Sequence, residues 1–561
     1  MFITQSSVRT RIGIGLLGAG VQLVAFLLPA MPAVAVEPVP NACLRPPAGS
    51  VVHNPPALFS SNGVLRVSFS YQHRIDSDNR ELFCFMTPEG LENPTLHLKP
   101  GDHLMLTVTN NTSAQVPTMP LNPPNCGASL MGMSSLNIHY HGTNTSPTCY
   151  SDDVIKTIIN SGQTFEYNVA IPPNEPPGLY WYHPHVHGIA EHAVQGGGSG
   201  AIVIDGIEHV QPAVSDLRQR IFMVRDQILL GSPPPPPGGN IPSWDITLNN
   251  IPILSPGTPG VTDFVPAVLH MEPGEKQFWR ISNSSADTIL DVQYVFDGAP
   301  QTMQVVAIDG VPVNSQDGTQ FGTLIPVTHF TLPTASRVEL IVKAPPASVQ
   351  LAQLLTLGIN TGPDGDNDPQ RPLATIKLAR PDDDRYGGND DKVGSFTAMT
   401  PNRQRFAGLG SAPVAVKRTV FFDEIQPTTF FMAVEGQPAQ VFDPNRGPSI
   451  VATQGTVEEW TVQNRTAENH EFHFHQLHFR VESQSNFELN GSQPAPAITG
   501  QYLDMIQVPF WDRDPKHPFP SVTLRIDFRG NDMGDFVFHC HILGHEDLGM
   551  MNILRVQARR P

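Results

Sequence analysis

The sequence predicts an all-β protein built from short strands and many turns. Its 561 residues include 56 Pro and 46 Gly, which break helices and favour turns. In the segment ending at Asn110, the apolar residues Leu104, Leu106 and Val108 recur with the period of two expected of a half-buried strand. Long helical bundles are excluded by this composition.

A strand–turn–strand pattern occurs three times along the chain. The copies are LHLKPGDHLMLTVTN ending at Asn110, LHMEPGEKQFWRISN ending at Asn283 and IVATQGTVEEWTVQN ending at Asn464, with turns around Gly101, Gly274 and Gly455. Their spacing is too long for a solenoid and indicates one β domain used three times. We expect domains at residues 36–208, 209–385 and 386–561.

Residues 1–35 have the order of a secretory signal peptide. Arg9 and Arg11 precede an apolar run from Ile12 to Leu28 and a small-residue stretch that ends at Ala35. The run is shorter than the ~20 residues needed to span a bilayer, and glycines interrupt it. We therefore expect a secreted or periplasmic protein with no membrane span after signal removal, in a compartment that permits disulfides.

The charge balance excludes one class of partner. Against 34 Lys and Arg the chain has 52 Asp and Glu, a formal net charge of −18. Nucleic-acid binding needs a cationic surface, so no nucleic-acid partner is expected. The acidic stretch from Pro381 to Lys392 is expected to be a solvated linker.

A second repeat concerns histidines. GLYWYHPH from Gly178 matches GDFVFHCH from Gly534, and HYHG from His139 corresponds to HFHQ from His473. Four His-x-His pairs therefore occupy matching positions of the first and third domains: His139/His141, His183/His185, His473/His475 and His539/His541. On a strand, residues i and i+2 share a face, so each pair aims two imidazoles to one side. Eight converging imidazoles suit copper or zinc. The second domain has no histidines at the equivalent place, DVQY from Asp291.

The run HCHILGHEDLGM decides between these metals. Cys540 lies between two histidines and points to the opposite face of the strand, while His545 and Met550 follow and His470 stands shortly before the third pair. One thiolate, two imidazoles and a weak axial thioether describe a blue-copper site, whereas zinc has no use for the Met.

Cys540 is the unpaired member of five cysteines. The other four, Cys43, Cys84, Cys126 and Cys149, allow three disulfide pairings. We favour Cys126 with Cys149, which would fasten the insertion between Asn110 and His139, and Cys43 with Cys84.

Over essentially its whole length after residue 35, the chain resembles a three-domain multicopper oxidase of the laccase type. The resemblance implies three consecutive cupredoxin-like Greek-key β-barrel domains and four copper ions. It implies an enzyme that takes single electrons from phenolic or aromatic amine donors and reduces dioxygen to water. The ligands it implies are Cys540, His470 and His545 with axial Met550 for a type 1 copper, His139 and His473 for a type 2 copper, His141, His183 and His541 for one type 3 copper, and His185, His475 and His539 for the other.

Two departures from the family pattern occur in the third motif. The family usually has Pro where Glu471 stands and Gly where Gln476 stands. Neither position is a ligand, so the departures bear on the assignment to a subfamily and leave copper binding unaffected.

The strand from His539 to His541 is expected to connect the type 1 site to the type 3 pair. The Met550 thioether predicts a low or middle reduction potential for the type 1 copper.

Three carboxylates are candidates for proton transfer. Asp152 and Asp153 resemble the acidic position that the family places beside its trinuclear site, and we favour Asp153. Glu546 resembles a proton-relay acid of periplasmic copper oxidases. His187, His192 and His478 are expected to be packing or surface residues.

Two other functions compete with this reading of the sequence. A metallo-oxidase acting on cuprous, ferrous or manganous ions would need acidic or Met ligands near the type 1 site. A non-catalytic cupredoxin scaffold protein would have lost its ligands, and here all are present. A two-domain nitrite reductase is excluded by the third repeat.

Overall fold

The structure is a computed structural model that describes residues 42–113, 119–120, 126–227, 230, 246–256, 258, 260–316, 322–379, 392–395, 405–425, 428–491 and 495–559. Within these ranges strands dominate, with two short α-helices, α1 (Ala190–Gln195) and α2 (Leu543–Asp547). The predicted all-β class is confirmed. The signal peptide predicted at residues 1–35 and most of the predicted linker from Pro381 lie outside the described residues. No described helix is long and apolar enough to cross a membrane.

The strands between residues 57 and 204 form two facing sheets. They are β1 (Ala57–Phe59), β2 (Val64–Ile75), β3 (Glu81–Met86), β4 (Thr95–Leu98), β5 (His103–Asn110), β6 (Met119–Pro120), β7 (Cys126–Gly127), β8 (Leu130–Met131), β9 (His139–His141), β10 (Thr157–Ile158), β11 (Thr164–Ala170), β12 (Gly178–His183) and β13 (Gly200–Ile204). One sheet has the order β1-β4-β13-β12-β9 and the other β11-β5-β2-β3, with small pairs β10-β7 and β6-β8. Alternate residues of β5 and β11 are buried, so the predicted period of two is confirmed.

A second pair of sheets follows. Its strands are β14 (Arg218–Arg225), β15 (Ile246–Leu248), β16 (Ile251–Ile253), β17 (Ala267–Met271), β18 (Lys276–Asn283), β19 (Leu290–Phe296), β20 (Ala299–Pro300), β21 (Met303–Ile308), β22 (Val311–Pro312), β23 (Ile325–Val327), β24 (Phe330–Leu332), β25 (Arg337–Lys343), β26 (Ala352–Thr356) and β27 (Arg371–Leu378). The orders are β16-β15-β14-β18-β25-β21-β22, with β23 on β21, and β17-β27-β26-β19-β20, with β24 on β19.

The third pair lies between residues 416 and 557. Its strands are β28 (Val416–Ile425), β29 (Thr429–Val434), β30 (Ile450–Thr453), β31 (Val457–Asn464), β32 (His470–Phe474), β33 (Phe479–Ser485), β34 (Tyr502–Leu503), β35 (Met505–Val508), β36 (Ser521–Asp527), β37 (Gly534–Cys540) and β38 (Met551–Gln557). The orders are β29-β28-β31-β36-β33-β34 and β30-β38-β37-β32-β35. Three sheet pairs agree with three copies of one domain, and the exact boundaries stay predictions.

The sequence repeat corresponds to β4–β5, β17–β18 and β30–β31. Each turn glycine has a positive φ, +91° at Gly101, +78° at Gly274 and +89° at Gly455, where L residues are strained. Each closing Asn is fully buried, and its side-chain amide donates to two backbone carbonyls. The Asn therefore anchors the loop that follows the second strand in all three copies.

Buried polar contacts join the three sheet pairs within one compact unit, residues 38–561. Arg337 of β25 donates from Nε to the Leu179 carbonyl at 3.2 Å and from Nη1 to the Asp504 carboxylate at 2.8 Å. Asp547 of α2 accepts from the backbone N–H groups of Gly188 and Glu191 at the start of α1, at 2.7 and 2.9 Å. These contacts hold the first and third sheet pairs, which carry the histidines, against each other.

Both favoured disulfides are confirmed. Cys43 is bonded to Cys84 and Cys126 to Cys149, while Cys540 is a free, buried cysteine. The second bond fastens the insertion that precedes the first histidine pair.

Candidate metal centre

Two pairs of antiparallel strands, together with the one or two residues that follow three of them, carry the four histidine pairs. His183 of β12 lies opposite His139 of β9, and His539 of β37 lies opposite His473 of β32. All eight imidazoles are buried at the junction of the first and third sheet pairs. The duplicated sequence motif therefore becomes one cluster in space, as predicted.

Rings from the two domains pair face to face. The His139 ring stacks on His475 with centroids 3.9 Å apart, and the His141 ring stacks on His473 at 4.0 Å. His539 Nε2 lies 3.2 Å from His185 Nε2 and 3.0 Å from His475 Nε2. Three ring nitrogens at such distances need a shared proton or a shared cation between them.

In four of these histidines, a hydrogen bond from Nδ1 to an acceptor outside the cluster fixes the orientation of the ring. The Nδ1–H groups donate to acceptors outside the cluster, at 3.0 Å from His139 to Asp152 Oδ1, 2.8 Å from His183 to the Pro184 carbonyl, 2.8 Å from His473 to the Asp504 carbonyl and 2.8 Å from His539 to the Cys540 carbonyl. The opposite nitrogen, Nε2, then presents a lone pair to the centre. This is the usual arrangement of metal-binding histidines, whose second nitrogen is oriented by a carboxylate or a carbonyl.

Unpartnered nitrogens test whether metal ions fit this cluster. Within the described residues, seven buried ring nitrogens here have no hydrogen-bond partner: His139 Nε2, His141 Nδ1, His183 Nε2, His473 Nε2, His475 Nδ1 and both nitrogens of His541. A buried polar atom without a partner costs about 1–3 kcal/mol, so leaving seven together is unfavourable without a cation. The donor set therefore fits metal ions.

Burial also sets the protonation state of these rings. Desolvation, reinforced by the neighbouring imidazoles, lowers the pKa of His141, His183, His185, His473, His475, His539 and His541 well below the ordinary value. Because a histidine must be neutral to bind a metal, the rings are in their ligating form at neutral pH.

A second set of donors lies on the other face of β37. Cys540 Sγ is 3.6 Å from His470 Nδ1 and 3.8 Å from His545 Nδ1, and these two nitrogens are 3.2 Å apart. A point equidistant from the three atoms lies about 2 Å from each, close to the length of a metal–nitrogen bond. One ion therefore fits between them.

Neighbouring side chains fix the orientation of this set. Phe422 stacks on His470 and Phe430 on His545, with centroids 4.8 and 4.4 Å apart. His470 Nε2–H donates to the Thr466 hydroxyl at 2.8 Å, which leaves Nδ1 free as an acceptor. Met550 is fully buried, and its carbonyl accepts from the backbone N–H of Cys540 at 3.0 Å. Burial raises the pKa of the Cys540 thiol well above its ordinary value, which favours the protonated form. A cation bound at Sγ would instead favour the thiolate.

The structure reverses our preference between two adjacent acids. Asp152 is buried, and its carboxylate accepts from His139 Nδ1 and from the Tyr140 backbone N–H at 3.1 Å. Asp153 instead accepts from the backbone N–H groups of Ile155 and Lys156 at 3.2 and 3.0 Å, which closes a local turn. Burial raises its pKa to about 6, and it makes no hydrogen bond to the cluster.

Glu546 lies against the opposite side of the cluster. Its carboxylate oxygens are 3.7 Å from His185 Nδ1 and 3.8 Å from His539 Nδ1, and neither has a hydrogen-bond partner. The residue is fully buried, and desolvation with the nearby charge of Asp547 raises its pKa well above the ordinary value. The predicted relay acid therefore lies beside two candidate ligands.

Sequence reasoning missed one buried carboxylate of the cluster. Asp504 Oδ1 lies 3.2 Å from His141 Nε2, and the Arg337 guanidinium binds both of its oxygens. His478, expected to be a packing residue, lies 3.5 Å from Asp504 Oδ2. A single Asp in the segment QYLDMI has no motif or spacing that marks it, and Arg337 reaches it from another domain.

A group of acids borders the sulfur-containing set. Glu468 Oε1 lies 3.6 Å from His545 Nε2, and the His545 side chain is 14% exposed. Desolvation and the neighbouring carboxyl groups of Glu424, Asp287 and Asp366 raise the pKa of Glu468 well above its ordinary value. Mutual repulsion of this kind favours binding of a cation.

Sequence comparison decides the family. Two sequence models described as multicopper oxidase match residues 131–209 and 417–560, the two segments that hold all twelve predicted metal ligands. The chain belongs to the multicopper oxidase family. This oxidase is therefore a copper-dependent enzyme that uses oxygen and a reducing substrate. No match was found among curated proteins.

Solved structures share the fold of the oxidase. The multicopper oxidase McoA of Aquifex aeolicus has 18% identity and a TM-score of 0.66, over 91% of this chain and 100% of that chain. A Campylobacter jejuni multicopper oxidase described as a metallo-oxidase has 19% identity and a TM-score of 0.62, over 94% and 100%. The laccase-like CueO of Ochrobactrum sp. has 20% identity and a TM-score of 0.60, over 90% and 100%. At these identities the likeness confirms the predicted cupredoxin-like architecture.

Proposed function

We propose that this oxidase takes single electrons from a small reducing substrate at a mononuclear copper site and reduces dioxygen to water at a trinuclear copper site. The copper ions, when bound, supply the one-electron redox chemistry that matches single-electron donors to a four-electron acceptor. One observation carries the proposal: in β37 and the residue that follows it, Cys540 belongs to one donor set and His539 and His541 belong to the other. The backbone of these three residues is a short covalent connection between the two sets.

The proposed ligands follow the grouping implied by the sequence. Cys540, His470 and His545, with Met550 axial, would hold a type 1 copper; His139 and His473 a type 2 copper; His141, His183 and His541 one type 3 copper; and His185, His475 and His539 the other. In support, the ligand atoms of His470, Cys540 and His545 lie within 4.8 Å of one another, as do those of His185, His475 and His539.

Two carboxylates are proposed to assist at the trinuclear site. Glu546 would hold and deliver a proton, because its unpartnered oxygens lie within 4 Å of His185 and His539 in a site closed to bulk water. Asp152 would orient His139 through the Nδ1–H bond and keep its Nε2 directed at the centre.

Phenols and aromatic amines are the substrates we propose first. A cavity of about 1170 Å³ lies between the second and third domains, with Phe487, Ile506 and Phe510 among its lining residues. Asn469, next to the candidate ligand His470, also lines it. Such a volume accommodates an aromatic ring. Among the structural neighbours, the Ochrobactrum CueO is described as acting on lignin model compounds and lignosulfonate.

Oxidation of cuprous, ferrous or manganous ions is a second candidate, favoured by the carboxylate of Glu468 beside His545. The test compares oxygen uptake with a substituted phenol and with each metal ion. Glu468→Gln should lower the ratio of metal-ion to phenol turnover, while the exposed control Glu488→Gln should not. An unchanged ratio would exclude Glu468 as a metal-ion site.

We also propose an oxidising compartment, outside the cytoplasm, for the mature protein. The bonds Cys43–Cys84 and Cys126–Cys149 support it, since disulfides persist in such compartments. Cell fractionation with an antibody tests this assignment.

The decisive test of the oxidase itself is copper loading. The loaded protein should show an intense blue band and reductant-dependent oxygen uptake, and Cys540→Ser should lose the blue band. A colourless loaded protein, or a blue Cys540→Ser variant, would refute the ligand assignment.

A further inference from the structure

Two histidines and a glutamate of the first domain meet at its surface. His73 Nε2 lies 2.7 Å from Glu81 Oε1, and His192 Nε2 lies 3.5 Å from the same oxygen. None of these three residues belongs to the candidate copper ligands or to the proposed proton relay. Two imidazoles and a carboxylate that converge on one point form a donor set for a divalent transition metal ion.

Strand pairing places His73 and Glu81 on one face of their sheet. His73 of β2 lies opposite Phe83 of β3, and Glu81 precedes Phe83 by two residues. Residues i and i+2 of a strand share a face, and a diagonal neighbour on the paired strand is within reach of a long side chain. The Glu81 carboxylate therefore reaches the His73 ring across the strand pair.

The helix α1 brings the third side chain to the same face. The Phe83 backbone N–H donates to the carbonyl of Gly196, the residue that ends α1, at 2.7 Å. The ring of His192, on α1, makes a T-shaped contact with the Phe83 ring, with centroids 5.2 Å apart. The His73 ring lies 4.9 Å from the same Phe83 ring. Phe83 therefore orients both imidazoles beside the Glu81 carboxylate.

We propose that His73, Glu81 and His192 bind a divalent transition metal ion, Zn²⁺ in the first instance, at a surface site separate from the copper centres. Three protein ligands and one water molecule complete a tetrahedral zinc site. With bonds of about 2.0–2.1 Å, neighbouring ligand atoms of such a site lie about 3.4 Å apart. The distance of 3.5 Å between His192 Nε2 and Glu81 Oε1 is close to this value.

The contact between His73 and Glu81 has the length of a hydrogen bond, and a metal ion would take the place of its proton. The side chains of His73, Glu81 and His192 are 25%, 22% and 50% exposed, so an ion can enter from solvent and small rotations can lengthen this contact. At 3.5 Å, His192 Nε2 is too far from Glu81 for a strong hydrogen bond. A shared cation accounts for the convergence of all three side chains.

A bound ion would cross-link α1 to the pair of strands β2 and β3. The chain enters α1 five residues after the candidate ligand His185, and the start of α1 donates backbone N–H groups to Asp547 of the third domain. The site exists only in the folded protein, and an ion that binds only the folded state stabilises it. Zn²⁺ should therefore raise the temperature of thermal unfolding.

Zinc binding to the copper-loaded enzyme tests the proposal. Calorimetric titration should show one equivalent of Zn²⁺ bound with the blue band unchanged, and crystals soaked in zinc chloride should show an anomalous peak at the zinc edge between the three side chains. His73→Ala and His192→Ala should each weaken this binding by at least about tenfold and remove the peak. A wild-type crystal without that peak, or wild-type affinity in both variants, would overturn the proposal. The position of the peak separates this site from the copper centres, so the result does not depend on the oxidase function.

His517→Ala is the matched control. His517 Nδ1 lies 2.5 Å from Asp512 Oδ2 at the surface of the third domain, a pair of one imidazole and one carboxylate. This variant should bind Zn²⁺ as the wild type does. Ala is favourable in a helix, so His192→Ala should fold, and Zn²⁺ should raise the unfolding temperature of the wild type and of His517→Ala but not of His192→Ala. An equal rise in all three proteins would refute the cross-link.

Discussion

The backbone N–H of Glu471 donates a hydrogen bond to Cys540 Sγ at a distance of 3.5 Å. The multicopper oxidase pattern usually has Pro at this position, and Pro has no N–H to donate. We predict that this bond raises the type 1 potential, because a donor to the thiolate sulfur stabilises the reduced site, where the sulfur carries more negative charge. Glu471→Pro should therefore lower the potential.

The size of the shift follows from the energy of the bond. Hydrogen bonds to charged groups contribute about 1.5–3 kcal/mol, and at 3.5 Å from sulfur we take the part that differs between oxidation states as about 1 kcal/mol. For a one-electron couple a tenfold change in equilibrium constant, about 1.4 kcal/mol, is 59 mV. The expected decrease is therefore roughly 40 mV.

The Glu471 side chain must be controlled for separately. Its carboxylate accepts from the Thr334 backbone N–H at 3.0 Å, and both Pro and Ala remove that contact. Glu471→Ala keeps the backbone N–H, so it is the matched control. Redox titration of the blue band should place Glu471→Pro below Glu471→Ala. Equal potentials in the two variants would show that the N–H bond has no influence on the site.

Three further predictions concern single side chains. Met550→Leu should raise the type 1 potential in the same titration, because the weak axial thioether is lost. The exposed control Met533→Leu should leave the potential unchanged. If Met550→Leu does not raise the potential, Met550 is not a ligand. Glu546→Gln should slow reoxidation of the reduced enzyme by dioxygen and keep the blue band, and reoxidation at the wild-type rate would rule out the relay. Asp504→Asn should destabilise the copper-free protein by about 1.5–3 kcal/mol, since it weakens the charge-assisted hydrogen bonds of the buried Arg337 and leaves Asp309, at 3.7 Å, as its charged partner. An unaltered thermal unfolding curve would contradict this.

Much of the fold could be predicted because the evidence is local and repeated. Alternation of apolar residues specifies strands such as β5, and three copies of one strand–turn–strand pattern specify three domains. The short edge strands could not be predicted. Two- and three-residue strands such as β20 (Ala299–Pro300) form because a neighbouring strand offers unpaired backbone groups. The local sequence does not indicate where such a neighbour will lie.

The candidate ligands could be predicted because duplication places them at matching positions. The surrounding acids could not be predicted in the same way. Asp152 and Asp153 lie in a loop, where spacing does not determine which of two adjacent side chains turns toward His139. Asp504 and Glu468 reach the sites only through the packing of distant segments, including Arg337 of the second domain.

The buried Asn that closes each repeat changes how a modification motif in this chain is interpreted. Asn110, Asn283 and Asn464 each begin an N-x-S/T sequence, the acceptor pattern for N-linked glycans. Their amide nitrogens already donate to backbone carbonyls, and their Oδ1 atoms accept from the backbone N–H two residues on. In Asn110 and Asn464 the Thr hydroxyl of the motif donates to the same oxygen. A sugar could be attached there only by unfolding the loop, so in this protein the motif is part of the internal hydrogen-bond framework.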